Sequence, residues 1–388
     1  MSAPLHVMSV FGTRPEAIKM APVVRCLEEE PGIRSTCVVT AQHREMLDQV
    51  LDLFRLRPDV DLDIMQANQT LAGITTRVLE GLTPLLERDR PDVLLVQGDT
   101  TTAFAAGLAA YYQKVPVGHV EAGLRTSDRY DPFPEEMNRR LLTRIASFQF
   151  APTEWARENL RAEGVAEEDI FLTGNTVTDA LRLILEELPP GLPEDLVRLE
   201  PGQRMLLVET HRRENLGAPM EEICRALRDL VEAFPDVALV FSVHRNPRVR
   251  EVVFPALQGL ERVHLLDPVS YPDLVRLMRD SCLILTDSGG IQEEAPSLGV
   301  PVLVLRRTTE RPEGIRSGNA LLVGTGRQAI VAEATRLLRD PGHYRSMSQA
   351  ASPYGDGHAA RRTVQALLHR LGRTAEAPRE FRPGVAVG

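Results

Sequence analysis

Short apolar runs alternate with longer amphipathic stretches from near the start of the chain to about residue 340. That alternation narrows the possible folds more than any other feature of the sequence. A strand buried on both faces reads as a continuous apolar run, and its parallel neighbour is reached only through a crossover, usually a helix. The spacing predicts strands over residues 6–11, 36–40, 93–97, 115–120 and 148–151. Helices are predicted over 15–30, 43–54, 71–87 and 102–112, the third carrying Leu71, Ile74, Val78, Leu82 and Leu85 on one face. Prolines and glycines over 188–202 break the pattern. It then restarts, with strands expected over 205–208, 238–243, 263–266, 283–286 and 302–305. Two such arrays predict an α/β chain with two doubly wound, Rossmann-like domains facing a cleft. The expected domains are 1–187 and 188–356, with a last helix over about 357–371. Residues 374–388 hold few large apolar side chains and are expected to be disordered.

Composition removes several classes of function. The formal net charge of -9 argues against general nucleic-acid binding, which needs a basic footprint. Cys26, Cys37, Cys224 and Cys282 are scattered, with no C-x-x-C pair and no histidines at zinc-ligand spacing, so they read as buried thiols. No basic segment followed by an apolar stretch opens the chain, and no apolar run is long enough for a membrane span. The expectation is a cytoplasmic protein without a membrane partner or a metal. Only Lys19 and Lys114 are lysines; all other Lys+Arg positions are arginine. Lys19 can therefore mark a place that needs a compact ammonium.

Chemistry-bearing residues collect at the ends of predicted strands. Phe11-Gly12-Thr13-Arg14-Pro15 follows the first strand and opens the first helix, where free N–H groups and the Arg14 fork favour an anion. Gln97-Gly98-Asp99-Thr100 ends a buried strand; Asp99 can serve chemistry or simply cap the next helix. His119-Val120-Glu121 ends another, and Glu135 stands at a predicted helix start, where a carboxylate is favoured in any case. Three acids at three such ends suit acid–base work. In the second array, His211-Arg212-Arg213 follows the first strand and suggests phosphate contact or proton transfer. Ser288-Gly289-Gly290 forms a small-residue loop between strand and helix, a phosphate cradle, with Glu294 placed to take a ribose. Arg311 follows the next strand.

Taken together, FGTRPEAIKMAP, GDTTT, GHVEAGLRT, FPEEMNR, THRREN, DSGGIQEEAPSLGVPVL and TTERPEG resemble the non-hydrolysing UDP-N-acetylglucosamine 2-epimerases of bacteria, from residue 7 to about 360. The resemblance implies a glycosyltransferase-B-like fold whose last helix, about 357–371, packs back on the first domain, a homodimer, no cofactor, and UDP-N-acetylglucosamine and UDP as the bound molecules. It implies that UDP is eliminated across C1–C2 to give 2-acetamidoglucal and then re-added, yielding UDP-N-acetylmannosamine for cell-surface polysaccharide synthesis. The family's catalytic residues fall on Asp99, Glu121, Glu135 and His211. Its substrate-binding residues fall on Arg14, Lys19, Ser288, Gly289, Gly290, Glu294 and Arg311.

The sequence departs from the family in two places. Val269 and Leu274 stand where some members carry glutamine and an aromatic residue near the uracil. Some members are also activated by a second substrate molecule at a site matching Gln42, Glu45 and Asn68. Here Glu45 replaces a glutamine and Asn68 an arginine, which predicts a weak or absent activator site. A hydrolysing relative, a glycosyltransferase and a non-catalytic UDP-sugar sensor are the competing readings; the three acids disfavour the last two.

Overall fold

A computed structural model describes residues 3–41, 44–66 and 69–384, with only the backbone of residues 44–46. Gln42, Asn68 and the side chain of Glu45 lie outside the described residues. The chain divides into two compact units, Met1–Ala180 with Gly357–Arg382, and Leu181–Asp356 with the residues from Pro383.

The first unit alternates β1 (Leu5–Phe11), α1 (Arg14–Glu29), β2 (Ile33–Val39), α2 (Arg44–Leu53), β3 (Val60–Asp61), α3 (Leu71–Asp89), β4 (Val93–Gln97) and α4 (Thr101–Tyr112). It continues through β5 (Val117–Val120), α5 (Glu135–Ile145), β6 (Phe148–Ala151), α6 (Glu154–Ala162), β7 (Ile170–Leu172) and α7 (Thr176–Glu187). Its seven-stranded sheet has the order β3-β2-β1-β4-β5-β6-β7, and every pair is parallel. β1 and β4 are buried throughout, as central strands covered on both faces must be. Alanines 103, 105, 106, 109 and 110 give α4 a smooth buried face in the core. On α3 the buried residues are Ile74, Val78, Leu82 and Leu86. Leu71, expected on that face, is exposed because it opens the helix ahead of the core; Leu85 is only partly buried.

The second unit runs β8 (Arg204–Thr210), α8 (Ala218–Ala233), β9 (Val237–Val243), α9 (Pro247–Leu257), β10 (Val263–Leu266), α10 (Tyr271–Arg279) and β11 (Leu283–Thr286). Then follow α11 (Gly289–Glu294), β12 (Val302–Val304), α12 (Pro312–Ser317), β13 (Ala320–Leu322), α13 (Arg327–Arg339) and α14 (Pro341–Ser348). The six-stranded parallel sheet has the order β10-β9-β8-β11-β12-β13. In both sheets the strand order therefore reverses once, between β1 and β4 and between β8 and β11. Open α/β sheets bind ligands at the carboxyl ends of the strands flanking such a reversal.

The last helix, α15 (Ala359–Arg370), packs against α1 in the first unit. Asp179 accepts from the N–H groups of Ala359 and Ala360 at 3.0 and 2.8 Å and so caps it. The expectation of disorder from residue 374 is corrected as far as residue 384. Phe381 is 1% exposed, packs with Leu160, Ile170 and Leu172, and donates its N–H to Leu172 O at 2.9 Å. One aromatic side chain supplies the burial that the composition of the segment did not promise.

Cys37 and Cys224 are buried, but Cys26 and Cys282 only half-buried; all four are free thiols. No helix among the described residues is long and apolar enough to cross a membrane.

Candidate active site

In the first unit, the loops after β1, β4 and β5 are locked to one another. Thr13 caps α1, and Glu16 completes the capping box, its Oε2 accepting from the N–H groups of Gly12 and Thr13 at 3.0 and 2.8 Å. Its Oε1 accepts from the Thr100 hydroxyl at 2.6 Å, tying the β1 loop to the β4 loop. Burial pushes the Glu16 carboxyl above its ordinary range, against the opposing effect of these hydrogen bonds. Gly12 admits no side chain, since a Cβ there would lie 2.0 Å from Thr40 Oγ1. Arg14, just beyond, is half-buried and makes no ion pair with a described residue.

Thr100, and not Asp99, caps α4, accepting from the Ala103 N–H at 3.0 Å. The Asp99 carboxylate instead pairs with Arg139 at 3.1 Å. Asn138 donates to Asp99 O at 2.9 Å, fixing the backbone as well. Arg139 is almost fully buried, and its Nη1 has no hydrogen-bond partner among the described residues. Beneath the loop, His119 is fully buried and donates through Nε2 to Gly98 O at 2.7 Å. Burial lowers its pKa to about 4, so it is a neutral structural support.

Glu121 follows β5 with φ of 66°, a left-handed conformation costly for a residue with a Cβ. Its carboxylate is paired with the Lys19 ammonium and accepts from Asn175 Nδ2 at 3.0 Å. Its Oε1 comes within 4.0 Å of where a Cβ on Gly98 would stand, beside Asp99. Asp99 and Glu121 thus each have their own cation, Arg139 and Lys19. Glu135 is the first residue of α5 and half-buried, and its carbonyl accepts from Arg139 at 3.4 Å. The neighbouring Glu136 is fully buried on Arg139, Arg140 and the Thr126 N–H, an anchor rather than a reagent.

In the second unit, His211 follows β8 and Asp287 follows β11. The fully buried Asp287 carboxylate accepts from the N–H groups of His211 and Arg212, each at 3.0 Å, and from Asn215 at 2.7 Å. Burial raises its pKa. His211 Nδ1 meets Glu209 Oε1 at 2.9 Å. Burial lowers the His211 pKa, but the Glu209 hydrogen bond and the charges of Glu209 and Asp287 outweigh it and raise the value. Ligand-type atoms of Glu209, His211 and Asp287 lie within 4.8 Å of one another, as a metal site would have them. Their oxygens are already engaged, those of Asp287 by N–H donors and those of Glu209 by His211 and the Thr286 hydroxyl, which gives the trio a hydrogen-bonding role.

Ser288, Gly289 and Gly290 open α11, whose first-turn N–H groups have no partner within the helix. The Arg311 guanidinium lies directly over Gly289, where a Cβ would come within 2.6 Å of Cζ. Arg311 is held by Glu293 at 2.7 Å and Glu310 at 2.5 Å. Glu310 also takes Arg306 at 2.7 Å and Arg212 at 3.2 Å. Its burial would raise its pKa, but the three guanidinium groups hold it well below the carboxylate range. Glu294 ends α11, 5% exposed, and Tyr271 donates to its Oε1 at 2.5 Å. Val269 and Leu274 are half-buried on either side of Tyr271 in sequence.

Glu16, Arg139, Glu209, Asp287 and Glu310 lie inside motifs that the sequence singles out without showing a role for them, and Tyr271 lies outside any. Thr13-x-x-Glu16 is a capping-box pattern and was legible. Arg139, Asp287 and Tyr271 depend on partners far away in sequence, whereas Glu209 pairs with His211 and Glu310 with Arg306 and Arg311, near neighbours that no local pattern singles out.

The chain is similar to known proteins over nearly its whole length. The sequence model of a family described as UDP-N-acetylglucosamine 2-epimerase matches residues 25–368. The UDP-N-acetylglucosamine 2-epimerase of Escherichia coli K12 is 54% identical over 369 residues, covering 94% of this chain and 98% of that one. A crystal structure of the Neisseria meningitidis UDP-GlcNAc 2-epimerase bound to UDP-GlcNAc is 47% identical and superposes with a TM-score of 0.88 over 94% of this chain and 100% of that one. A glycosyltransferase of kitacinnamycin, 15% identical with a TM-score of 0.60 over 95% of this chain and 99% of that one, shares the fold alone.

Proposed function

The chain belongs to the UDP-N-acetylglucosamine 2-epimerase family, and we propose that it interconverts UDP-N-acetylglucosamine and UDP-N-acetylmannosamine without hydrolysis. On this reading a carboxylate of the first unit takes the proton from C2 while the C1–O bond to UDP breaks, leaving 2-acetamidoglucal. UDP oxygen then re-bonds to C1 as a proton returns to the opposite face of C2, so nothing is consumed. The observation that carries the reading is the state of Asp99. Thr100 takes over helix capping, which leaves the Asp99 carboxylate to pair with Arg139.

We assign the two faces of C2 to Asp99 and Glu135, since inversion calls for two acid–base groups. Glu121, with Lys19, orients the sugar or joins the proton relay. His211 and Arg14 stabilise the departing diphosphate, where negative charge grows. Ser288, Gly289, Gly290 and Arg311 hold the diphosphate and Glu294 the ribose. A homodimer, expected from the family, is checked by light scattering.

The deciding experiment is NMR of the protein with UDP-N-acetylglucosamine alone in D2O. An equilibrium mixture of the two UDP-sugars with deuterium at C2 is expected. Asp99→Asn should cut turnover by a factor on the order of 100 or more while UDP affinity changes far less. Stoichiometric free UDP and free sugar would instead identify a hydrolase. No isotope entry in the absence of an acceptor would point to a transferase.

A further inference from the structure

The reading of Glu294 as the ribose-binding carboxylate leaves open what orients it. A carboxylate that is to accept from two neighbouring hydroxyls must present its oxygens in one fixed plane. The torsion that sets this plane is broad and softly restrained. A carboxylate free to turn about it loses part of each hydrogen bond's worth to ordering.

In this chain the plane is fixed from outside the loop. Tyr271 is the first residue of α10, set there by the Ser270 cap and followed by Pro272. Only 8% of it is exposed, and its hydroxyl donates to Glu294 Oε1 at 2.5 Å. Burial, then the Glu294 charge and the hydrogen bond, push the phenol well above its ordinary range, so it remains a donor. The other oxygen, Oε2, faces the small-residue loop, 3.8 Å from where a Cβ on Gly290 would stand. One oxygen is pinned from behind and the other is turned toward the loop that the function assigns to phosphate.

We propose that Tyr271 is a positioning residue that fixes the Glu294 carboxylate for the hydroxyls of a nucleotide ribose, and that it makes the site select ribonucleotides over 2′-deoxyribonucleotides. The proposal rests on the assignment of Glu294 given above. Tyr271 touches no ligand; it acts through Glu294. Tyrosine suits this task because it can be removed at one atom. Tyr271→Phe keeps the ring in its buried seat and deletes only the donor.

Calorimetry of the full-length protein with UDP and with 2′-deoxy-UDP tests it. The wild-type protein should bind 2′-deoxy-UDP about tenfold or more weakly than UDP, the scale of one charge-assisted hydrogen bond. Tyr271→Phe should weaken UDP binding by about tenfold while leaving 2′-deoxy-UDP within about twofold of its wild-type value, so the discrimination collapses. A variant that keeps the full discrimination would overturn the proposal. So would one that loses the same factor for both nucleotides, because that is a packing effect. A wild-type protein indifferent to the 2′-hydroxyl would remove the Glu294 assignment and the proposal with it, yet leave the deuterium experiment untouched. A protein that binds no UDP would sink the functional reading itself.

Discussion

Which side chain caps α4 decides whether Asp99 has a carboxylate to offer. Aspartate and threonine are both strong caps, and GDTTT sets them side by side, so no rule of sequence separates them. The fold separates them by giving Thr100 a second task, donation to Glu16 while it accepts from Ala103. Arg139, a full helix turn into α5, then claims Asp99. A similar division of labour surrounds His211. Glu209 faces it from β8, Asp287 from the end of β11, Arg212 from the next position, and His244 stacks on it at 5.9 Å. The raised pKa keeps His211 protonated to higher pH than an ordinary histidine. A rate that depends on imidazolium is therefore complete at low pH and falls as pH rises through that raised value. Glu209→Gln keeps the shape and an acceptor but deletes the charge, so the alkaline limb of kcat/KM should move down by about one pH unit. An unmoved limb would show that the charge of Glu209 does not reach the reaction. His211 was legible as a strand-end histidine; its carboxylate partner was not, because two positions apart on a strand normally shares a face without implying a bond.

At the scale of elements, three of the shortest strands stayed hidden, although three-residue β12 was legible and the twelve-residue α7 was not. β3, β7 and β13 have two or three residues each, too few for a period to show. The candidate loops stand at strand ends, as expected, because the strands before them read as apolar runs even where, as in β5 and β11, they have only four residues. What remained hidden is that these loops are joined. Glu16 satisfies two backbone N–H groups of the β1 loop and a hydroxyl of the β4 loop with one buried carboxylate. Glu16→Leu preserves volume and strands those donors, which should cost about 2 kcal/mol of stability in urea unfolding. Burial raises the Glu16 carboxyl, so the folded state takes up a proton more readily than the unfolded chain. Wild-type stability then rises relative to the leucine variant as pH falls through the raised folded value toward the unfolded one. Equal stability of the two proteins at all pH values would mean that the loops do not depend on this link.

Two parallel sheets were foreseeable from two arrays of alternating elements, and the carboxyl-end location of every candidate loop followed from parallel pairing. The route of the chain between the units was less legible. Composition changes at the proline-rich stretch over 188–202, whereas the contacts change within α7, a continuous amphipathic helix that gives no local mark of a boundary. The first unit is also discontinuous, because it is completed by α15 and Phe381 after the whole second unit has been made. The second unit's sheet and its main core come from one uninterrupted stretch, with Leu206, Phe241, Leu285 and Leu303 under Ile223, Leu227 and Leu230 of α8. The two units should therefore respond differently to cutting. A fragment of residues 188–356 should unfold cooperatively on its own and retain weak UDP binding by calorimetry. A fragment of residues 1–180 lacks the cap partners of Asp179 and the Phe381 side chain that closes its small cluster. It should be unstable, and joining residues 357–384 to it through a flexible linker should restore a cooperative transition. Within the intact chain, Phe381→Ala should remove about 3 kcal/mol, the lower end for a buried phenylalanine, because the cluster it closes is small. If residues 1–180 melt cooperatively without the returning segment, the first unit's stability lies in its sheet alone and the return of the chain contributes nothing to it.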